Sequence, residues 1–277
     1  MSDYFRGSSI VVATMHGKEE QVVPELREKL GLVFLPLGAF DTDRFGTFTG
    51  DVPRMGTQEE AARRKAEAAL AMSTARFALA SEGSFGPHPT LPFVTADREL
   101  LLLLERDQPL AWMVWEVSAD TNAFEETITS LTQGMEVARA HGFPEAGMVV
   151  KAAGDFSRKG LCSEADLEAA LKDALQVGEV VLMADLRAMH NPKRRAVIAK
   201  AARQLAEVLM AHCPSCSFPG FRVVEREPGL PCAWCGNPGR MTLRAHRRCQ
   251  CCGFQSTQEH PDGVTEMPAQ YCDQCNP

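Results

Sequence analysis

The sequence predicts an α/β fold with a mixed sheet flanked by helices over residues 1–210, followed by a small zinc-ribbon-like domain over residues 211–277. Two observations lead to this prediction. β-rich and helical segments alternate through the first part, which is the pattern of an α/β domain. Nine of the ten cysteines lie after residue 212. A chain of 277 residues is long enough for two separate cores.

Apolar periodicity and helix caps place the individual elements. Strands are predicted at residues 9–14, 32–37, 76–80, 100–105, 111–117, 147–152 and 180–185. Helices are predicted at residues 17–30, 57–72, 123–141, 163–175 and 191–211. Thr57 and Glu60 form a capping box, and Pro192 suits a first helical turn. Residues 38–56 and 82–89 are rich in turn-forming residues and are predicted to be loops.

Composition and charge argue against several classes of function. The formal net charge is -7, which does not favour broad nucleic-acid binding. No apolar run approaches the roughly 18 residues of a membrane span, so no membrane association is expected. The N-terminus lacks the pattern of a secretory signal, so a cytoplasmic location is expected. Nothing in the sequence indicates an oligomeric state.

Four Cys-x-x-Cys pairs carry the clearest chemical signal. Two thiolates at this spacing can face one ion, and two such pairs complete a tetrahedral four-sulfur site. Eight cysteines therefore predict two structural Zn²⁺ ions without an open coordination position. The predicted ligands are Cys213, Cys216, Cys232, Cys235, Cys249, Cys252, Cys272 and Cys275.

The combination of the four pairs is a separate question. We favour a nested arrangement, in which the second and third pairs form an inner site and the first and fourth pairs an outer one. The interleaved alternative, which joins the first pair with the third, stays open. Cys251 is predicted to be a bystander, and Cys162 a plain buried thiol.

The basic segment Arg240–Arg248 has two interpretations. Residues 211–277 hold six arginines and six acidic residues, so this part of the chain is neutral. We favour a solvated surface, and contact with nucleic-acid phosphates is the alternative.

Two constellations in the α/β part predict a phosphate site. Thr14, His16, Gly17 and Lys18 lie where a strand ends and a helix begins, and free amides at a helix start attract anions. The segment with Arg187, His190, Lys193 and Arg194 places cations at a helix start, where the helix dipole disfavours them unless an anion binds. The alternatives are an ordinary turn and a solvated basic surface.

Acidic residues predict a companion site for Mg²⁺. Glu82 ends a buried strand and is the first choice for a magnesium ligand or a general base, with Asp41 and Asp43 of the long loop as candidate partners. Glu60 is expected to cap its helix or to face the same ion. Lys65 lies on the same predicted helix, where a solvated helix face is the alternative.

Together these segments resemble the inosine/xanthosine triphosphate pyrophosphatase superfamily. The resemblance rests on Thr14 and Lys18, on the helix pattern Thr57, Glu60, Ala62, Lys65 and Ala66, on Glu82-Gly83, and on His190, Lys193 and Arg194. Ala61 stands where that family has Asn, and the family's Ser-His-Arg triplet is not intact. The whole chain also resembles a bacterial group that combines such a domain with a double Cys-x-x-Cys tail.

The resemblance implies hydrolysis of a nucleoside triphosphate to a monophosphate and pyrophosphate. Mg²⁺ would be held by Glu82 with Glu60 or Asp43, while Lys18, Lys65 and Arg194 would neutralise developing charge. The departures from the family pattern motivate an alternative, a nonenzymatic nucleotide-binding protein whose zinc domain docks onto protein or nucleic acid.

Overall fold

The computed structural model describes residues 4–14, 17–38, 40, 56–108 and 110–277. The described chain divides into two compact units: Phe5–Leu205, and Ala206–Pro277 together with Tyr4. The larger unit is α/β with a mixed sheet, as predicted. In the part of the chain that is described, no helix has the length and apolarity needed to cross a membrane.

The first sheet of the larger unit is mixed. Its strands are β1 (Ser9–Ala13), β2 (Val33–Phe34), β3 (Phe77–Pro87), β4 (Thr95–Glu105) and β5 (Ala111–Ser118). Among the described residues they lie in the order β2-β1-β3-β4-β5. β1 is parallel to β2 and β3, whereas β4 is antiparallel to both β3 and β5. Helix α1 (Glu19–Leu30) follows β1, and helix α2 (Gln58–Ala71) precedes β3.

Helix α2 begins where the capping box was predicted. The Thr57 hydroxyl accepts a bond from the Glu60 amide, and the Glu60 carboxylate accepts one from the Thr57 amide at 2.8 Å. The helix presents a face of alanines to the sheet, where they pack against small residues of β3 and leucines of β4. All five leucines of Leu100–Leu104 are buried, because both faces of β4 are covered.

A second sheet lies in the same unit. Its strands are β6 (Glu125–Ile128), β7 (Met148–Ala152), β8 (Ser157–Leu161) and β9 (Val180–Ala184). Within the described ranges they are antiparallel in the order β6-β9-β7-β8. Helices α3 (Leu131–Ala140) and α4 (Glu164–Val177) pack on it through a shared apolar core. Helix α5 spans Pro192–Met210.

The smaller unit carries an antiparallel sheet with little apolar core. Its described strands, in spatial order, are β10 (Arg222–Pro228), β11 (Thr242–Arg248) and β12 (Gln255–Glu259). Its buried apolar residues form small groups around Leu230 and Met267 and around Phe221, and each group includes cysteines. A unit of this size with so little apolar burial needs another source of stability.

Three predicted elements were wrong. The predicted loop at residues 82–89 begins as strand, because β3 continues to Pro87 by pairing with β4. The predicted helix at 123–141 begins as strand β6, which pairs with β9, and its helical part starts only at Leu131. Strand β2 is shorter than predicted, and β8 was not predicted.

Candidate functional sites

Six buried charged residues lie together where β1 ends and β3 continues beyond it. Four of them were predicted site residues, and Asp97 and Glu99 on β4 were not. Each is at most 7% exposed, although such residues are seldom fully buried without partners. We call this set the charged cluster: Lys18, Lys65, Glu82, Asp97, Glu99 and Arg194.

Lys18 and Glu99 meet through the pairing of β3 with β4. Lys18 lies at the start of α1, and its Nζ donates to the Ser81 hydroxyl at 3.0 Å. The same Nζ is 3.5 Å from Glu99 Oε2. Glu99 is directly opposite Gly83, so its side chain lies on the same face of the sheet as that of Ser81.

Arg194 completes this part of the charged cluster from the first turn of α5. Its Nε donates to Glu99 Oε1 at 2.6 Å, and its Nη1 donates to the Leu186 carbonyl at 2.5 Å. Gly83 makes this contact possible. A Cβ at Gly83 would be 2.3 Å from both Arg194 Nη2 and Glu99 Oε1, closer than real Cβ atoms approach.

Lys65 and Glu82 form a second buried ion pair. Lys65 comes from the buried face of α2, and Glu82 lies one residue along β3 from Ser81, so it points to the opposite face of the strand. The charges of Glu82 and Lys65 still influence Lys18. Because Glu82 is inside the strand and paired with a lysine, the prediction that it stands at a strand end before a glycine turn was wrong.

The environment shifts the pKa values of the two residues that meet at Ser81. Burial lowers the pKa of Lys18 to about 8, although the Glu99 charge acts in the opposite direction. Burial alone would raise the pKa of Glu99, but Arg194 and Lys18 outweigh it and hold that pKa below its usual value. Glu99 is therefore ionised at neutral pH.

Asp97 behaves differently. It is 1% exposed, and neither of its carboxylate oxygens has a hydrogen-bond partner among the described residues. Burial, and then the negative charge of Glu99, raise its pKa to about 7. A buried carboxyl group whose pKa lies near neutrality is typical of functional sites.

We expect Asp97→Asn to stabilise the protein increasingly as the pH rises from about 4 to 7. The folded-state pKa is about 7, against an ordinary value of 3.8. The native state therefore retains a proton that the unfolded chain loses, and the stability linked to that proton disappears as the pH passes through the folded value. The gain at pH 8 should be roughly 1–4 kcal/mol, since one pKa unit corresponds to about 1.4 kcal/mol.

Urea unfolding of both proteins at several pH values measures this difference. Asp155→Asn, at an exposed position, is the matched control and should change stability little at any pH. An Asp97→Asn effect that is the same at pH 5 and pH 8 would contradict the assignment.

The other predicted site residues lie elsewhere. The Glu60 carboxylate caps α2 at an exposed position. Lys193 Nζ is exposed and bonds Asp120 Oδ1 at 2.5 Å. Thr14 directly follows β1 and Gly17 directly precedes Lys18, whereas His16, Asp41 and Asp43 lie outside the described residues.

Arg187 and His190 belong to a different group of side chains. Arg187 Nη2 donates to Asp185 Oδ2 at 2.6 Å. Burial acts to raise the pKa of Asp185, but the hydrogen bonds from Arg187 and its charge outweigh burial and hold that pKa below its usual value. His190 Nδ1 is 3.4 Å from the sulfur of Cys162. Cys162 is exposed, so the prediction of a plain buried thiol was wrong.

Asp97 and Glu99 were missed because they precede the leucine run that defined the predicted strand. The available signal was the alternation Asp97-Arg98-Glu99, which places both acids on one face of an extended strand.

Two four-cysteine sets lie in the smaller unit. Among the described residues, these are the groups of three or more His, Cys, Asp or Glu side chains whose ligand atoms lie within 4.8 Å of one another. The first set is Cys213, Cys216, Cys249 and Cys252, and the second is Cys232, Cys235, Cys272 and Cys275. Both sets can hold a metal ion. The favoured nested arrangement was therefore wrong, and the interleaved alternative is the one observed.

The small sheet explains the interleaved arrangement. β10 and β11 are antiparallel, and Arg222 at the start of β10 is opposite Arg248 at the end of β11. The first cysteine pair precedes β10 and the third follows β11, so these two pairs meet at one end of the sheet. The second pair follows β10, at the opposite end, where β12 also finishes before the chain continues to the fourth pair.

The sulfur atoms face one another across each set. Cys213 Sγ lies 3.8 Å from Cys252 Sγ, and Cys216 Sγ lies 3.6 Å from Cys249 Sγ. In the second set the corresponding distances are 3.9 Å from Cys232 to Cys275 and 3.7 Å from Cys235 to Cys272. These spacings are far longer than the roughly 2.05 Å of a disulfide, so the thiols are unbridged.

The four turns share one backbone pattern. In each, the carbonyl of the first cysteine accepts a bond from the amide four residues later, for example Ser217 to Cys213 at 2.9 Å and Gly236 to Cys232 at 2.9 Å. Amides also donate to sulfur: those of Cys235 and Trp234 lower the pKa of Cys232 to about 7. Such turns present thiolates to a shared centre.

Comparison with known proteins identifies a family. A search of curated proteins and a search of solved structures each found no match. The profile of one protein family matches residues 65–277, which is well over half of the chain. The matched span contains both cysteine sets and every residue of the charged cluster except Lys18. The chain therefore belongs to the family described as DUF6671, a domain of unknown function.

Proposed function

We propose that the charged cluster is the catalytic site of a magnesium-dependent nucleoside triphosphate pyrophosphohydrolase. The observation that carries this proposal is that site residues predicted from distant parts of the sequence lie together in the fold. Lys18, Lys65, Glu82 and Arg194 come from four separate sequence segments and meet where β3 pairs with β4. Lys18 and Arg194 contact Glu99 on one face of the sheet, and Lys65 contacts Glu82 on the other. The pyrophosphatase resemblance implies a role in catalysis for these four residues.

The chemistry of the donors fits a divalent cation. Mg²⁺ binds to one or two carboxylates together with substrate phosphates, and it would polarise those phosphates. Asp97 is the carboxylate that would hold it on the face of the sheet where Lys18 and Arg194 lie. Glu82, the first choice from the sequence, lies on the opposite face and is paired with Lys65, so we do not assign it to the same ion. Glu60 is occupied as a helix cap, so we do not assign it to the ion.

The cations of the charged cluster would bind and orient the triphosphate. Lys18 and Arg194 share Glu99, and Lys65 is held by Glu82. An anionic substrate would exchange these carboxylate contacts for phosphate contacts. Preorganised cations in a buried site stabilise charge developing on phosphate oxygens more strongly than they would in water.

The test is pyrophosphate release from a panel of nucleoside triphosphates with Mg²⁺, for the wild-type protein and two variants. Lys18→Met should lower kcat/KM by roughly 10²–10³-fold, as the loss of one preorganised donor typically does. Lys193→Met is the control, because Lys193 is exposed and pairs with Asp120 outside the charged cluster. Pyrophosphate release from none of the nucleotides by a folded, metal-loaded sample would refute the proposal.

A second candidate function is nucleotide binding without turnover. The charge balance of the cluster favours it, because three cations face three carboxylates and all six groups are buried. Calorimetry with a nonhydrolysable triphosphate would then show binding in a protein that releases no pyrophosphate.

We also propose that each cysteine set binds one structural Zn²⁺ in a ribbon-like fold. A tetrahedral site with zinc–sulfur bonds of about 2.3 Å has sulfur–sulfur edges of about 3.8 Å. The four distances between facing sulfurs lie close to that value. Four protein thiolates leave no coordination position for substrate, so the role is structural. Unbridged thiols fit a reducing compartment such as the cytoplasm.

The arginines of the smaller unit are largely compensated by its acidic residues. Arg240 pairs with Asp273 at 2.8 Å, and Arg244 bridges Glu227 and Glu259 at 3.1 and 2.6 Å. This pairing supports the interpretation of a solvated surface over that of a nucleic-acid interface.

A further inference from the structure

A solvent-accessible Cys–His pair lies on the second sheet, outside the charged cluster and both cysteine sets. Cys162 immediately follows β8, and Ser163, the next residue, caps α4. His190 ends the short 3-10 helix before α5. Cys162 is an exposed residue, and its sulfur lies 3.4 Å from His190 Nδ1.

Two glycines make room for this pair. A Cβ at Gly147 would lie 2.9 Å from the Cβ of His190 and 3.1 Å from the Cys162 sulfur. Gly147 does not have a positive φ, so its backbone would accept other residues and only the space excludes them. A Cβ at Gly160 would lie 3.1 Å from His190 Nε2.

The carboxylate of Asp185 lies in the neighbourhood of the imidazole. The Gly160 amide donates to Asp185 Oδ2 at 3.0 Å, so this carboxylate and His190 Nε2 both lie close to the same residue. Asp185 is 2% exposed, and the charges of Asp185 and His190 attract each other. A Cβ at Gly160 would also lie 3.3 Å from Arg187 Nη2, and Arg187 is paired with Asp185, so the charges of these two residues oppose each other at the imidazole.

We propose that Cys162 is a nucleophilic thiol that reacts with small carbon electrophiles, with His190 Nδ1 as the base that accepts its proton. The alternative for the same contacts is a structural hydrogen bond from the thiol to the imidazole, without enhanced reactivity. This site does not depend on the proposed pyrophosphohydrolase function.

The proton has to leave the sulfur during the reaction. Burial, and then the Asp185 charge, raise the pKa of the Cys162 thiol, so the thiolate is not the resting form. With iodoacetamide, the sulfur forms a bond to the methylene carbon as the carbon–iodine bond breaks. Iodide leaves, and the thiol proton moves to Nδ1. This requires the neutral imidazole to carry its hydrogen on Nε2.

The test measures alkylation by iodoacetamide at neutral pH in the full-length, metal-loaded protein, with the rate of each cysteine followed by mass spectrometry of its peptide. Cys251 is the internal reference, because it is exposed and belongs to neither four-cysteine set. We expect Cys162 to react at least about tenfold faster than Cys251, a modest effect for a positioned base.

His190→Gln should reduce the ratio of the two rates to near one, and Gly147→Ala should reduce it by displacing the pair without altering either reacting group. His88→Gln, which replaces a histidine elsewhere in the same unit, should leave the ratio unchanged. Normalisation to Cys251 in the same molecule, with thermal unfolding of each variant, separates loss of the base from loss of the fold. A Cys162 that reacts no faster than Cys251, or a ratio unaffected by His190→Gln in a folded protein, overturns the proposal.

Discussion

A protein that carries both Cys213→Ser and Cys249→Ser is expected to bind one zinc ion per chain, whereas Cys213→Ser combined with Cys232→Ser is expected to leave none. The first double variant damages one four-cysteine set twice and leaves the other intact. The second removes one ligand from each set. Elemental analysis of the purified proteins, together with titration of free thiols, measures both outcomes.

Cys251→Ser is the matched control and should retain two zinc ions, because Cys251 belongs to neither set. A nested arrangement makes the opposite prediction: there, Cys213→Ser with Cys249→Ser would damage both sites. Loss of both ions from that variant, with both ions present in the wild type, would contradict the interleaved arrangement.

The effect on stability should also be large. Metal binding to a structural zinc site contributes roughly 10 kcal/mol or more to folding, and the apolar groups of the smaller unit are small. Variants that bind no zinc should therefore lose the protease resistance of residues 206–277 while the larger unit stays folded.

The second large effect is expected from Gly83→Ala. The added Cβ would occupy the space between Arg194 Nη2 and Glu99 Oε1, 2.3 Å from each. Both partners are fully buried, so separating them leaves opposite charges with poor compensation in a low-dielectric interior. We expect the free energy of unfolding to fall by roughly 3 kcal/mol, within the range measured for broken buried pairs.

Gly86→Ala is the matched control on the same strand, because a Cβ there meets nothing within 4 Å. Denaturant unfolding of both variants should show a loss for Gly83→Ala and little change for Gly86→Ala. Equal stability of the two variants would mean that the Arg194–Glu99 ion pair does not require the absence of a side chain at Gly83.

The sequence predicted the chemistry of the metal sites better than their connectivity. Spacing alone identifies the cysteine pairs as candidate metal ligands, because two thiols on one turn form a local feature. Which pairs combine depends on the antiparallel pairing of β10 with β11. Those strands are mostly polar, without the apolar alternation that would have marked them as strands.

In the charged cluster, too, the sequence predicted individual residues better than the contacts between them. Lys18, Lys65, Glu82 and Arg194 were found because each stands in a recognisable local context, such as a helix start. The alternation Asp97-Arg98-Glu99 marks Glu99 as a strand residue, but its contact with Lys18 and Arg194 depends on its register opposite Gly83, which is a non-local fact. The error at residues 84–87 has a related cause, since glycine and proline content predicts a loop unless a neighbouring strand supplies hydrogen bonds.

The interleaved order of the cysteines also determines when each four-cysteine set becomes complete during synthesis on the ribosome. The first set lacks a complete group of ligands until Cys252 has been made, and by then Cys232 and Cys235 have already emerged as spare thiols. These two must wait for Cys272 and Cys275. During that interval they could bind an ion together with cysteines of the first set, and the pairing of β10 with β11 is what brings the first and third pairs to the same end of the sheet.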